Sequence, residues 1–229
     1  LALDALRSGA GLRSVRHGIQ RLAGDHVVGY EFLARSSVEP FGLPVDFFRL
    51  AFESNVLTLV DHHCFRLALE ASRGLAPDLS AHLNVFPSTL IDVPTAHLIE
   101  SFPTERPAET YCVEISEQQI IGDPSYLVGP VCALRRHGVR IAVDDVGFGR
   151  SCLESLVLLE PDVVKIDRRC VQGVARDPDQ RRSLERLLKV SDTLDAKVVA
   201  EGVESREDKG VLEDLGVELG QGYLWGHPA

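Results

Sequence analysis

The sequence predicts an α/β fold with parallel strands joined by crossover helices. Three observations lead there. Apolar, strand-like runs recur at residues 81–86, 111–115, 140–146, 163–166, 197–203 and 219–225. Amphipathic stretches with helical spacing lie between several of them, at 124–137, 179–194 and 205–215. Connections of that length carry the chain back across a sheet, which makes successive strands parallel. The 229 residues suit one large domain of this class, since α/β barrels commonly exceed about 200 residues as a single unit. The rhythm fits a closed barrel and an open doubly wound sheet equally.

The opening of the chain departs from this alternation. Residues 1–14 read as an incoming linker or helix, and residues 15–229 as the domain. Apolar runs at 15–22 and 26–33 are separated by Ala23-Gly24-Asp25, the pattern of a hairpin. Residues 46–73 carry apolar side chains at helical spacing, with Pro44 just before and Gly74 just after as helix punctuation.

Composition narrows the function. About 45% of the residues are apolar, enough for a sizeable core. The formal net charge of −10 argues against wrapping duplex nucleic acid, which calls for a basic surface. A small anionic ligand remains compatible, because bound cations invert the local field. Apolar runs are short and interrupted by charges, so no membrane insertion by this segment is expected. No basic-then-apolar signal peptide opens the sequence. It begins at Leu1 without any methionine, as an excised domain would. The expected location is the cytoplasm, or the cytoplasmic part of a larger protein. Cys64, Cys112, Cys132, Cys152 and Cys170 are widely spaced with no CxxC pair, as expected of reduced thiols.

Polar residues fall in an uneven pattern. Nearly every strand-like run carries an acid, amide or lysine towards its C-terminal end: Glu31, Asn84, Glu114, Asp144 with Asp145, Lys165, Glu201 and Gln221. Any one of these alone would read as a solvated rim residue. Their repetition at successive strand ends is harder to assign to chance, and unpaired charges are costly to bury. In a closed barrel the strand C-termini ring one face, where side chains converge. The carboxylates of Glu31, Glu114, Asp144, Asp145 and Glu201 in one pocket would repel one another and shift their pKa values. Cations relieve that repulsion, and an oxygen-rich donor set suits Mg²⁺ or Mn²⁺ better than Zn²⁺.

At these residues the sequence resembles the EAL-domain family of cyclic di-GMP phosphodiesterases. The resemblance runs from Val15 to Pro228. The naming motif stands here as Glu31-Phe32-Leu33, followed by Leu83-Asn84-Val85, Val113-Glu114-Ile115-Ser116-Glu117 and Asp144-Asp145-Val146-Gly147-Phe148-Gly149. Then come Val164-Lys165-Ile166-Asp167, Ala200-Glu201-Gly202-Val203-Glu204 and Gln221-Gly222-Tyr223-Leu224. The order and separation of these blocks make the resemblance specific.

The resemblance implies a modified (β/α)8 TIM-like barrel with one early antiparallel strand. It implies metal-dependent hydrolysis of cyclic di-GMP to linear 5′-pGpG, with two ions. Glu31, Asn84, Glu114 and Asp144 match metal ligands, and Asp145 a residue of the second metal with Asp144 bridging. Lys165 matches a lysine that helps hold the reacting water, and Glu201 the general base. Arg35, Leu33 and Gln221 match substrate-binding positions; Glu117 and Glu204 match supporting acids. A homodimer is also implied. Departures are His17-Gly18-Ile19 where the family has Gln-Pro-Ile, Ser116 for Thr, Phe32 for Ala, and Val146, Phe148 and Arg150 in the loop after the Asp pair. That loop is the argument for the alternative, a weak or inactive domain that serves as a cyclic di-GMP receptor or protein-interaction module. Asp61-His62-His63-Cys64 looks like a metal cluster but falls within a helical stretch, where adjacent side chains diverge.

Overall fold

A computed structural model describes residues 2–147 and 152–229. Its strands are β1 (Leu12–Arg21), β2 (His26–Ser36), β3 (Ser80–Asn84), β4 (Tyr111–Ser116), β5 (Arg140–Val146), β6 (Val163–Ile166), β7 (Lys197–Ala200) and β8 (Leu219–Gly220). They close into one barrel in sequence order, which removes the open-sheet option. Closure depends on β1. It runs antiparallel to β2 on one side and to β8 on the other, with Gln20 opposite Gly220. Every other neighbouring pair is parallel. The hairpin expected around Ala23-Gly24-Asp25 forms because Gly24 and Asp25 both take positive φ, 88° and 50°. Glycine takes that conformation without steric cost and Asp tolerates it.

The helices are α1 (Ala2–Ser8), α2 (Pro44–Glu53), α3 (Leu57–Ser72), α4 (Pro87–Asp92), α5 (Thr95–Glu100), α6 (Val128–Arg136), α7 (Cys152–Leu159), α8 (Arg168–Val171), α9 (Pro178–Thr193) and α10 (Arg206–Asp214). The single helix expected over 46–73 is two. Asn55 takes φ 56° between them, a left-handed conformation that ends a helix and that Asn tolerates. Side-chain caps start α9 and α10. Asp177 accepts from the Asp179 and Gln180 amides, and Ser205 from Asp208. None of the helices is long and apolar enough to cross a membrane, among the described residues. The 61–64 cluster lies on α3, with Asp61 and Cys64 buried, His62 and His63 half-buried, and the His63 ring nitrogen Nε2 3.0 Å from the Arg7 carbonyl oxygen. Cys64, Cys112, Cys132 and Cys170 are free.

Strand alternation sorts the barrel into two layers. On β4, Tyr111, Val113 and Ile115 face the helices and join the large outer core with Ile141, Val143, Val164 and Ile166. The lumen holds a separate small cluster of Ile19, Cys112, Ala142, Val163 and Val199. Two residues nearer the barrel mouth, on the same inward face, stand His17 on the antiparallel β1, Glu114, Asp144, Lys165 and, just past β7, Glu201. The apolar layer is therefore the floor on which a polar layer rests.

Candidate active site

The polar layer is organised by one lysine. Lys165 has no exposed surface, and its Nζ lies 2.8 Å from Glu114 Oε2, 2.8 Å from Glu201 Oε1, 3.3 Å from Glu31 Oε2 and 3.5 Å from Asp144 Oδ2. Four strands thus deliver carboxylates to a single ammonium. Amides hold Glu31 from two further strands: Asn84 Nδ2 donates to its Oε1 and Gln221 Nε2 to its Oε2, both at 2.8 Å.

Two consecutive aspartates reach the same mouth because β5 is irregular. A regular strand would turn Asp144 and Asp145 to opposite faces. The β5–β6 register shifts between Val143 and Val146, and Asp145 takes φ 61°, which re-aims its side chain. Asp144 Oδ1 accepts the Asp145 amide at 2.8 Å, and Ser116 Oγ donates to Asp145 Oδ2 at 2.7 Å. Val146 turns the other way and is buried in the outer core. The departures at Phe148 and Arg150 lie outside the described residues.

The electrostatics follow from crowding. Burial drives Glu31 upward, but Lys165, Asn84 and Gln221 outweigh it and hold the carboxyl at about 2. Burial wins at Glu114 and at Asp144, each pushed up to about 8 despite Lys165, with neighbouring carboxylates adding to the rise. Burial, then Asp144, pushes Glu201 well above the ordinary range. Lys165 is raised by the acids around it against the effect of its own burial. The protein alone therefore under-compensates its site.

The donor set fits divalent cations. Carboxylate oxygens of Glu31, Glu114 and Asp144 lie within 4.8 Å of one another, and so do those of Asp144, Asp145 and Glu201. Asp144 belongs to both triads. Hard oxygen ligands without Cys or His suit Mg²⁺, Mn²⁺ or Ca²⁺.

The remaining sequence-expected residues surround this centre. Arg35, Leu33, Glu204 and Gln221 line a cleft of about 250 Å³ that also includes Glu31, Asp145 and Glu201, with His17 and Tyr223 in the same lining. Arg35 Nη1 donates to the Ala34 carbonyl at 2.8 Å. Glu117 is buried in the 3-10 turn Glu117–Gln119 after β4 and does not line the cleft. Larger hollows of about 670 and 620 Å³ lie beside α9 and α3, but none of the carboxylate triads borders them. Sequence reasoning missed His82. Its Nδ1 lies 2.7 Å from Glu114 Oε1 in the barrel interior. Burial holds His82 at about 3, so this contact is a hydrogen bond of a neutral imidazole, not an ion pair. The available signal was position: His82 lies two residues before Asn84 and so on the same strand face.

A family model described as EAL domain matches residues 4–228. The protein called "Cyclic di-GMP phosphodiesterase RocR" of Pseudomonas aeruginosa is 31% identical over 214 residues, covering 90% of this chain and 55% of that one. The Klebsiella pneumoniae BlrP1 calcium/cy-diGMP complex superimposes with a TM-score of 0.83 at 26% identity, covering 96% of this chain and 56% of that one. "PaMucR Phosphodiesterase, c-di-GMP complex" gives 0.82 at 25% identity, over 95% and 96% of the two chains. The chain spans little more than half the length of RocR and BlrP1. With a matching family model across nearly its whole length, a barrel of the same shape and the strand-end carboxylates in place, the chain belongs to the EAL-domain family.

Proposed function

We propose that this chain hydrolyses cyclic di-GMP to linear 5′-pGpG using two divalent cations, Mg²⁺ or Mn²⁺. One observation carries the reading: Asp144 is shared by two carboxylate triads, the arrangement a pair of adjacent cations needs. Similar chains support it, being named for this activity or solved with the dinucleotide and calcium or manganese.

Glu31, Asn84, Glu114 and Asp144 would hold one cation, and Asp144, Asp145 and Glu201 would hold or border the other. When bound, the cations acidify a water and neutralise phosphate oxygens. Glu201 takes the proton of that water as general base. Lys165, fixed by its carboxylates, keeps Glu201 oriented and places a positive charge beside the reacting water. Arg35 binds a phosphate of the dinucleotide from the cleft wall, where Leu33 and Gln221 contact the ligand. Glu117 supports β4 from its C-terminal turn, and Glu204 supports the loop after Asp145. Water oxygen bonds to phosphorus, the P–O bond to one ribose 3′-oxygen breaks, that oxygen leaves with the bonding pair and takes a proton from solvent to become a hydroxyl, and the ring opens to a dinucleotide with a 5′-phosphate.

The domain is the barrel from β1 onward, with α1 leading into it, and it works in the cytoplasm as a homodimer. Exposed Leu153 and Val157 on α7, beside the 3-10 turn Pro124–Leu127 with exposed Tyr126, form an apolar patch suited to a second copy. The argument for binding without turnover is the altered loop after Asp145, and its departures spare every proposed ligand and the proposed base. The test is incubation of the purified chain with cyclic di-GMP and Mg²⁺ or Mn²⁺, with nucleotides separated by chromatography and Glu31→Ala as control. Product from the wild type alone is expected; its absence would sink the reading.

A further inference from the structure

The barrel lumen contains one residue that its layer does not call for. The floor beneath the carboxylates is apolar on the other strands: Ile19, Cys112, Ala142, Val163 and Val199. On β3 the same level is occupied by His82, whose register partner on β4 is Cys112. The imidazole is only 4% exposed. A polar ring in that layer is costly to bury unless its hydrogen bonding is satisfied.

Its partner is Glu114, at 2.7 Å through Nδ1. An ionised carboxylate can only accept, so the imidazole must carry its proton on Nδ1 when Glu114 is charged. The other oxygen, Oε2, accepts from Lys165 at 2.8 Å. His82 thus holds Oε1 from below while Lys165 holds Oε2 from the side. The two donors fix both the plane of the carboxylate and the oxygen it offers upward.

The geometry points to His82 as the positioning residue for Glu114, fixing its carboxylate so that Oε2 alone faces the cation site. It rests on the two-cation reading given above. His82 touches neither substrate nor reacting atoms and acts through Glu114. Partners that orient a ligating carboxylate typically contribute ~10–100-fold in metal affinity. The neighbouring ligand Glu31 needs no such device, because Asn84 and Gln221 already hold its two oxygens.

The test is calorimetric titration of the folded chain with Mn²⁺ alone, comparing the wild type with His82→Leu and His82→Asn. The Asn amide nitrogen sits where Nδ1 does and can donate to the same oxygen. We expect His82→Leu to weaken Mn²⁺ binding ~10–100-fold and His82→Asn to restore most of it. Equal affinity in wild type and His82→Leu overturns the inference and leaves the cation reading standing. No Mn²⁺ binding by the wild type overturns the cation reading, and this inference with it. A second measurement needs no variant to fold. With Mg²⁺ present, the ¹⁵N-histidine spectrum of the wild type should show one buried imidazole as the neutral Nδ1–H tautomer. Finding every buried imidazole as the Nε2–H form overturns the assignment.

Discussion

Lys165 Nζ lies 2.8 Å from Glu201 Oε1, and the ammonium is wholly buried under the carboxylates it gathers. The base proposed for water activation is therefore tied to the same ammonium that gathers the proposed metal ligands Glu31, Glu114 and Asp144. In the proposed reaction, proton transfer and cation binding would be coupled through that one side chain.

Removing that ammonium should do more than slow the reaction. Lys165→Met leaves several buried acids without their counter-charge. Breaking a buried pair in this way costs about 3–5 kcal/mol. Urea unfolding without divalent ions should show that loss, and added Mn²⁺ should recover part of it by binding the native state. An unchanged midpoint without metal would mean that Lys165 does not hold the carboxylates together.

Glu201→Gln keeps the shape of the side chain and removes its basicity. Turnover should fall by roughly 10²–10⁴-fold, the usual contribution of a general base. Affinity for cyclic di-GMP, measured by calorimetry with Ca²⁺, should change much less. Wild-type turnover in this variant would take the base role from Glu201.

Ser116 donates to Asp145 at 2.7 Å. Ser116→Ala frees an aspartate that stands at φ 61°, so it should lower kcat about tenfold, as expected for a hydrogen bond to a charged group of ~1.5 kcal/mol. Ser116→Thr retains the hydroxyl and should stay near wild type. Equal rates for Ala and Thr variants would show that the bond does not position Asp145.

Asp61 gives a pH dependence apart from the metal site. Its carboxylate is buried on α3, accepts the Phe86 amide at 3.0 Å, and is pushed by burial from 3.8 up to about 6. The native state therefore binds more protons than the unfolded chain between those values. Stability falls as pH rises through that window, by about 3 kcal/mol in all for a shift of roughly 2 units. The cost is absent below about pH 4 and complete above about pH 6. Asp61→Asn can still accept from Phe86, so it should raise stability at pH 8 and flatten the profile between pH 4 and 6. Thermal melts across that range will show it; a profile as steep as wild type would assign the slope to other groups.

Most of this protein was legible in its residues, for identifiable reasons. Parallel barrel strands are buried on both faces and so read as short continuous apolar runs, and the 140–146 and 163–166 runs match β5 and β6 residue for residue. The polar strand ends stood out because each interrupts an apolar run two residues past the lumen layer. Other features depend on groups distant in sequence. The 46–73 stretch could not reveal its break, because helical spacing continues across Asn55 and only its backbone conformation divides α2 from α3. His82 passed unnoticed because nothing local links it to Glu114, 32 residues away.

By itself the sequence determined the element types, the hairpin and the set of acids, lysine and amides that could converge, since each is a local pattern. The tertiary structure alone decided that the sheet closes, through Gln20 opposite Gly220 at the two ends of the chain. It also decided that Lys165 meets four carboxylates at once, and that a bulge turns Asp144 and Asp145 to the same mouth. The physical reason is common to all three. Closure, charge compensation and re-aimed side chains depend on distances between strands far apart in the chain, and no periodicity within one strand encodes them.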